Sequence, residues 1–234
     1  MHLDRTATIA RIVTEHAEAA RVFQKHGIDY CCHGNVTVSV AAEGRGLDPE
    51  ALFAELDAVL GNRGDADEDL RQLSTVSLIA RIVDRHHTYL RRALPYIDPI
   101  AAKVASVHGG KDDRLREIHA TFRELADALL PHLDDEESVL FPALMVPLPD
   151  ASRIGPELER MLEEHLAVGD LLAKLRALSD DYTTPEWGCN TYRVLMAELE
   201  ALEADTLRHV HAENHILAPR VTGAIKETAG AATA

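Results

Sequence analysis

The stretch His132-Leu133-Asp134-Asp135-Glu136-Glu137-Ser138-Val139-Leu140-Phe141-Pro142 decides the fold, because it returns as His209-Val210-His211-Ala212-Glu213-Asn214-His215-Ile216-Leu217-Ala218-Pro219. In both copies Glu follows His by four residues, Leu by eight and Pro by ten. An α-helix carries residues i and i+4 on one face, so each copy presents an imidazole beside a carboxylate. A further histidine precedes each copy at nearly the same distance: His87 lies 45 residues before His132, and His165 lies 44 before His209. Chance recurrence in a chain with thirteen histidines is the plain alternative. Agreement of all the offsets together argues for an internal repeat of helix pairs.

Working outward, four long helical segments are expected at 75–107, 113–146, 153–179 and 186–222. The breaks between them carry Gly109-Gly110, Pro147 with Pro149 and Asp150, and Asp180-Asp181 with Pro185. Four helices with short connections make an up-down bundle over 75–226. Before it, residues 61–74 are rich in Gly and Asp and read as a linker. Residues 1–60 read as a small helical module near the lower size limit for independent stability. Within it, 5–26 is expected to form one amphipathic helix closed by Gly27, Val36 to Ala42 one or two turns, and Pro49 to Leu60 a helix capped by Asp48. Residues 227–234 read as a flexible tail. The fold class is therefore all-α.

Four imidazoles (His87, His132, His165, His209) and two carboxylates (Glu136, Glu213) would point into the bundle core. A carboxylate can bridge two cations, so two metal ions would share Glu136 and Glu213 and take two histidines each. Six N and O ligands without a thiolate suit iron or manganese better than a structural zinc. With a bridging oxygen each iron has five ligands, which leaves one position for a small molecule. The acidic run Asp134 to Glu137 reads mostly as solvated surface, since only Glu136 shares the face of His132. Three choices stay open on the residues alone. His86 competes with His87, about 100° away on a helix. His211 and His215 form a second i, i+4 pair. Cys31 and Cys32 are either buried packing residues or reactive thiols in a polar turn where a large core is not expected. Cys189 is expected to serve helix-start packing, and His2, His16, His26, His108 and His119 to be surface or structural residues.

The net charge of −15 repels phosphate backbones and anionic lipid, which speaks against nucleic-acid and membrane partners. No apolar run approaches the roughly 20 residues of a membrane span. The N-terminus lacks the pattern of a signal peptide, and three cysteines, two adjacent, make no disulfide framework; a cytoplasmic location fits both.

At these residues the chain resembles the iron–sulfur cluster repair di-iron proteins, also called RIC, YtfE or ScdA proteins. Asp29-Tyr30-Cys31-Cys32-His33-Gly34 is similar to that family's D-[FY]-C-C-x-G signature. The bundle resembles a hemerythrin-like domain through Ile82 to His87, His132-x3-Glu136-Glu137 with Leu140-Phe141-Pro142, Glu164-His165, and His209-x3-Glu213-Asn214 with Leu217-x-Pro219. The resemblance implies two non-haem irons, oxygen-bridged, on His87, His132, His165, His209, Glu136 and Glu213, and it settles His87 over His86. It implies repair of clusters damaged by nitrosative or oxidative stress, with damaged iron–sulfur proteins as partners and iron supplied to them. Cys31 and Cys32 would be the candidate thiols. An NO reductase and a sensor or carrier of NO or oxygen are the rival activities, and a homodimer is compatible with either. The chain departs from the pattern at His33, where Gly is commoner, at Ala218, where a Phe is usual, and at Pro131, expected to kink the helix before His132. Oxygen-carrying hemerythrins place a fifth histidine four residues after the third-helix ligand; here that position is Gly169.

Overall fold

The computed structural model describes residues 3–61, 69–146 and 150–223. Among them there is no β-strand, only an isolated bridge between Thr8 and Thr37. The chain divides into two compact units, one holding the residues up to Leu78 together with those from Leu207 onward, the other Ile79–Thr206.

In the first unit α1 (Ile9–Glu15) starts at Thr8, whose side chain accepts from Arg11 N. The single helix expected over 5–26 is interrupted. His16 takes φ −142° and ψ 85°, Ala17–Ala19 form a 3-10 turn, and α2 (Ala20–Lys25) follows. Nothing local announces the break, since no Gly or Pro stands at 16–19. At the far end of α2 the signal was sufficient. Gly27 adopts φ 62°, Gly27 N donates to Gln24 O at 3.0 Å and Ile28 N to Phe23 O at 2.8 Å, the paired bonds of a Schellman close. α3 (Val38–Gly44) is capped by Thr37, and α4 (Pro49–Gly61) begins with Asp48 Oδ1 accepting from Glu50 N at 3.1 Å and Pro49 in the first position. The linker expectation falls partly on 62–68, outside the described residues. Leu70–Gln72 form a 3-10 turn, and Arg220 donates to Leu73 O at 2.7 Å. The expected tail at 227–234 also lies outside.

The second unit holds most of an up-down four-helix bundle. The bundle's first helix is α5 (Thr75–Ile82) continued by α6 (Thr88–His108), its second α7 (Arg114–Asp135) continued by α8 (Phe141–Leu144), its third α9 (Ala151–Leu178), and its fourth α10 (Asn190–Ala212); the divisions between units fall within α5 and α10. α7 packs against both α6 and α9. Phe122, Leu125 and Leu129 bring one apolar stripe of α7 to zero exposure, and burial of each such side chain contributes about 2 kcal/mol. The break expected at Pro147 and Pro149 lies outside the described residues, but Asp150 caps α9 by accepting from Ser152 N. Pro131 sits inside α7 without ending it.

Where continuous α-helix was expected, three single π turns intervene among the described residues: Val83–His87, Glu136–Leu140 and Glu213–Leu217. Pro142 and Pro219 each follow the start of a π turn by six residues. A proline ring clashes with the carbonyl four residues back, and the wider π turn relieves that crowding.

Candidate metal centre

The π turns coincide with the candidate ligands. His87 closes the first, Glu136 opens the second and Glu213 opens the third. Such inserted turns are frequent at functional sites.

Within the larger unit, His87, His132, Glu136 and His165 converge. All are buried, between 0% and 4% exposed. His87 Nδ1 donates to Glu137 Oε1 at 3.0 Å, and its Nε2 lies 3.4 Å from Glu136 Oε2. His132 Nδ1 donates to Glu164 Oε2 at 2.7 Å, and its Nε2 lies 3.4 Å from Glu136 Oε1 and 3.0 Å from His165 Nε2. A carboxylate on Nδ1 fixes the tautomer and leaves a lone pair on Nε2. Neither Glu136 oxygen has a hydrogen-bond partner among the described residues. Lone pairs on imidazole therefore face lone pairs on a buried carboxylate, which is unfavourable unless a cation stands among them. Two atoms each about 2.1 Å from one ion lie roughly 3.0–3.4 Å apart, so these side chains fit a metal ion.

Two of the supporting groups were missed in the sequence. Glu137, read as surface, holds His87 and is itself gripped by Arg91 Nη2 at 3.0 Å. Burial works against its charge, but the hydrogen bonds from His87 and Arg91 outweigh that and keep its carboxyl below the usual range. Glu164 precedes His165 and appeared only as part of the motif. The one available signal was a carboxylate placed next to a ligand in both cases. His86 turns elsewhere, its Nδ1 donating to Asp205 Oδ1 at 3.0 Å.

In the smaller unit His209 and Glu213 are fully buried, with Nε2 3.0 Å from Oε1. The second i, i+4 pair serves the N-terminal turn. Thr14 spends its hydroxyl proton on Ala10 O at 2.9 Å and so accepts from His211 Nε2 at 3.1 Å. His215 Nε2 donates to Cys31 O at 2.6 Å. Of the two readings left open for the Cys31-Cys32 turn, the buried one describes Cys31. Tyr30 is 0% and Cys31 2% exposed, while Cys32 is half-buried. Phe23 and His211 lie against the Tyr30 ring, with centroids 6.4 Å and 5.5 Å away. Cys189 is exposed rather than packed. Its Sγ lies 3.3 Å from His108 Nε2 at the start of α10.

No helix among the described residues is long and apolar enough to cross a membrane. The hemerythrin HHE cation-binding domain profile matches residues 78–221, and a profile described as a domain of unknown function (DUF542, ScdA_N) matches residues 5–60. These matches define the class: a helical protein built on a hemerythrin-like cation-binding domain. The chain is 32% identical over 212 residues to the iron-sulfur cluster repair protein ScdA of Staphylococcus haemolyticus, covering 89% of this chain and 95% of the relative. It is 33% identical over 216 residues to the iron-sulfur cluster repair protein YtfE of Yersinia pseudotuberculosis, covering 92% and 96%. The chain belongs to this family of hemerythrin-domain iron–sulfur cluster repair proteins.

Proposed function

We propose that this chain holds two non-haem irons on His87, His132, His165, His209, Glu136 and Glu213, and restores iron–sulfur clusters damaged by nitric oxide or oxidants by supplying iron. The observation that carries the reading is Glu136. It is a buried carboxylate whose two oxygens each face a different imidazole, His87 on one side and His132 on the other. That is the arrangement a carboxylate shared by two ions requires. His209 and Glu213 repeat the His132–Glu136 pair in type, spacing and position at a π turn, which supports assigning them to the same centre. The family resemblance supports iron as the metal. Bound iron would supply Lewis acidity and one-electron redox capacity.

The protein's own residues set the terms of that chemistry. Glu137 and Glu164 hold His87 and His132 with Nε2 facing inward and raise their basicity. Gly169, four residues after His165 and buried, offers no imidazole there. A donor set short of one ligand leaves room for NO or oxygen and holds its iron less firmly than a closed site, as a donor must. The thiols of Cys31 and Cys32 are proposed to assist repair in the cytoplasm. The test compares three additions to an NO-inactivated iron–sulfur dehydratase: the iron-loaded protein, its metal-free form and free iron at equal concentration. Recovery well above that with free iron is expected. Recovery no better than free iron overturns iron donation, and sustained nitrous oxide production would put an NO reductase in its place.

A further inference from the structure

Outside the His and Glu ligands, the smaller unit brings two thiols and a carboxylate together. Cys31 Sγ lies 3.4 Å from Cys32 Sγ and donates to Asp29 Oδ1 at 3.0 Å. One ligand atom from each of the three lies within 4.8 Å of the others. Consecutive residues usually send their side chains apart. Here Asp29 Oδ1 accepts both the Cys31 and Cys32 backbone N–H groups at 2.9 Å and folds the chain back over its own carboxylate. The turn is locked from outside as well. At Gly34 a Cβ would stand 2.2 Å from Tyr30 O and 2.7 Å from Ala10 Cβ, so only glycine fits. His215 ties down Cys31 O, and Tyr30 is wholly buried.

We propose that Asp29, Cys31 and Cys32 form a second cation site, taking one thiophilic divalent ion such as Zn²⁺ or Fe²⁺ with a fourth position open. Two sulfurs each about 2.3 Å from a tetrahedral ion lie roughly 3.8 Å apart, so these thiols need to part by only a few tenths of an ångström. Binding exchanges two S–H protons, released to solvent, for two metal–sulfur bonds, and nothing is oxidised. His33 Nδ1 occupies Asp29 Oδ2 at 2.8 Å. Oδ1, where the Cys31 proton now points, is then the oxygen left for the ion. Burial, the neighbouring Cys32 and the charge of Asp29 all keep the Cys31 thiol protonated, well above its ordinary range. A cation in the proton's place reverses that balance. Sulfur donors select softer ions than the His and Glu set does, and none of the three residues belongs to the proposed iron ligands.

The test is a titration of the full-length, metal-free protein with Co²⁺. Sulfur-to-cobalt charge transfer in the near ultraviolet arises only from thiolate ligation, so cobalt on His and Glu is silent in that band. The band is expected in the wild type and in Cys189→Ser, with at least tenfold weaker affinity in Asp29→Asn, and is lost in Cys31→Ser and in Cys32→Ser. Cys32 is half-buried, so its variant carries the test if Cys31→Ser fails to fold by circular dichroism. Absence of the band in folded wild type, its survival in Cys32→Ser, or its loss in Cys189→Ser overturns the proposal.

Discussion

His87 and His132 differ from ordinary core histidines in what their outer nitrogens do: each Nδ1 is held by a glutamate and each Nε2 faces Glu136. The i, i+4 rule was enough to find Glu136 from His132. Glu137 and Glu164 escaped it, because a run of acidic residues reads as solvated unless the partner helix is known. Cys189 was misjudged for a similar reason. Its environment is made by His108, 81 residues away in sequence. The hydrogen bond with His108, followed by the backbone amides of Tyr192 and Thr191, lowers its thiol to about 7. A lowered thiol is thiolate above that value, so iodoacetamide labelling of Cys189, followed by mass spectrometry, rises through about pH 7 and levels off. In His108→Ala the midpoint moves toward the ordinary thiol value of about 8.5, and labelling at pH 7 falls roughly fivefold. An unmoved midpoint would contradict the pairing.

Among the elements, ends were legible where their chemistry is local, as at Asp48-Pro49 and Gly27, and illegible where it is not. The π turns change neither composition nor the apolar stripe; Pro142 and Pro219 mark a disturbance in two of them, but a proline alone does not separate a π turn from a kinked α-helix. The end of α9 was legible from Asp180-Asp181, since the helix closes at Leu178, but the backbone conformation that follows was not. Asp180, Asp181 and Tyr182 all take positive φ, 50°, 54° and 58°, a conformation disfavoured outside glycine. Arg176 holds them there, with Nη1 on Asp181 Oδ1 at 2.9 Å and its guanidinium 5.0 Å from the Tyr182 ring centroid. Its other donors reach Glu203 on α10, Nε lying 3.0 Å from Oε1. Arg176 and Glu203 are both buried. Arg176→Met strands the Glu203 carboxylate and should destabilise the fold by about 3–5 kcal/mol in urea unfolding. Adding Glu203→Leu removes the stranded charge and should recover most of the loss. A double variant no more stable than the single one would show that the arginine acts through the turn rather than the ion pair.

Over the whole molecule, the two matched families cover residues 5–60 and 78–221, and the relatives align along nearly the full chain. The all-helical class and five of the six candidate ligands were readable from spacing, because a helix converts sequence offsets directly into faces, whereas His87 was chosen over His86 only through the family resemblance. The burial of the Cys31 turn was not, since it depends on contacts such as that of His215, 184 residues further along the chain. The most direct test of the central claim is metal analysis of the purified protein beside single variants. About two irons per chain are expected in the wild type and in His211→Ala, whose ring bonds Thr14. His132→Ala and Glu213→Ala should lose at least one iron each. Full iron content in both of those variants would contradict the shared six-ligand centre.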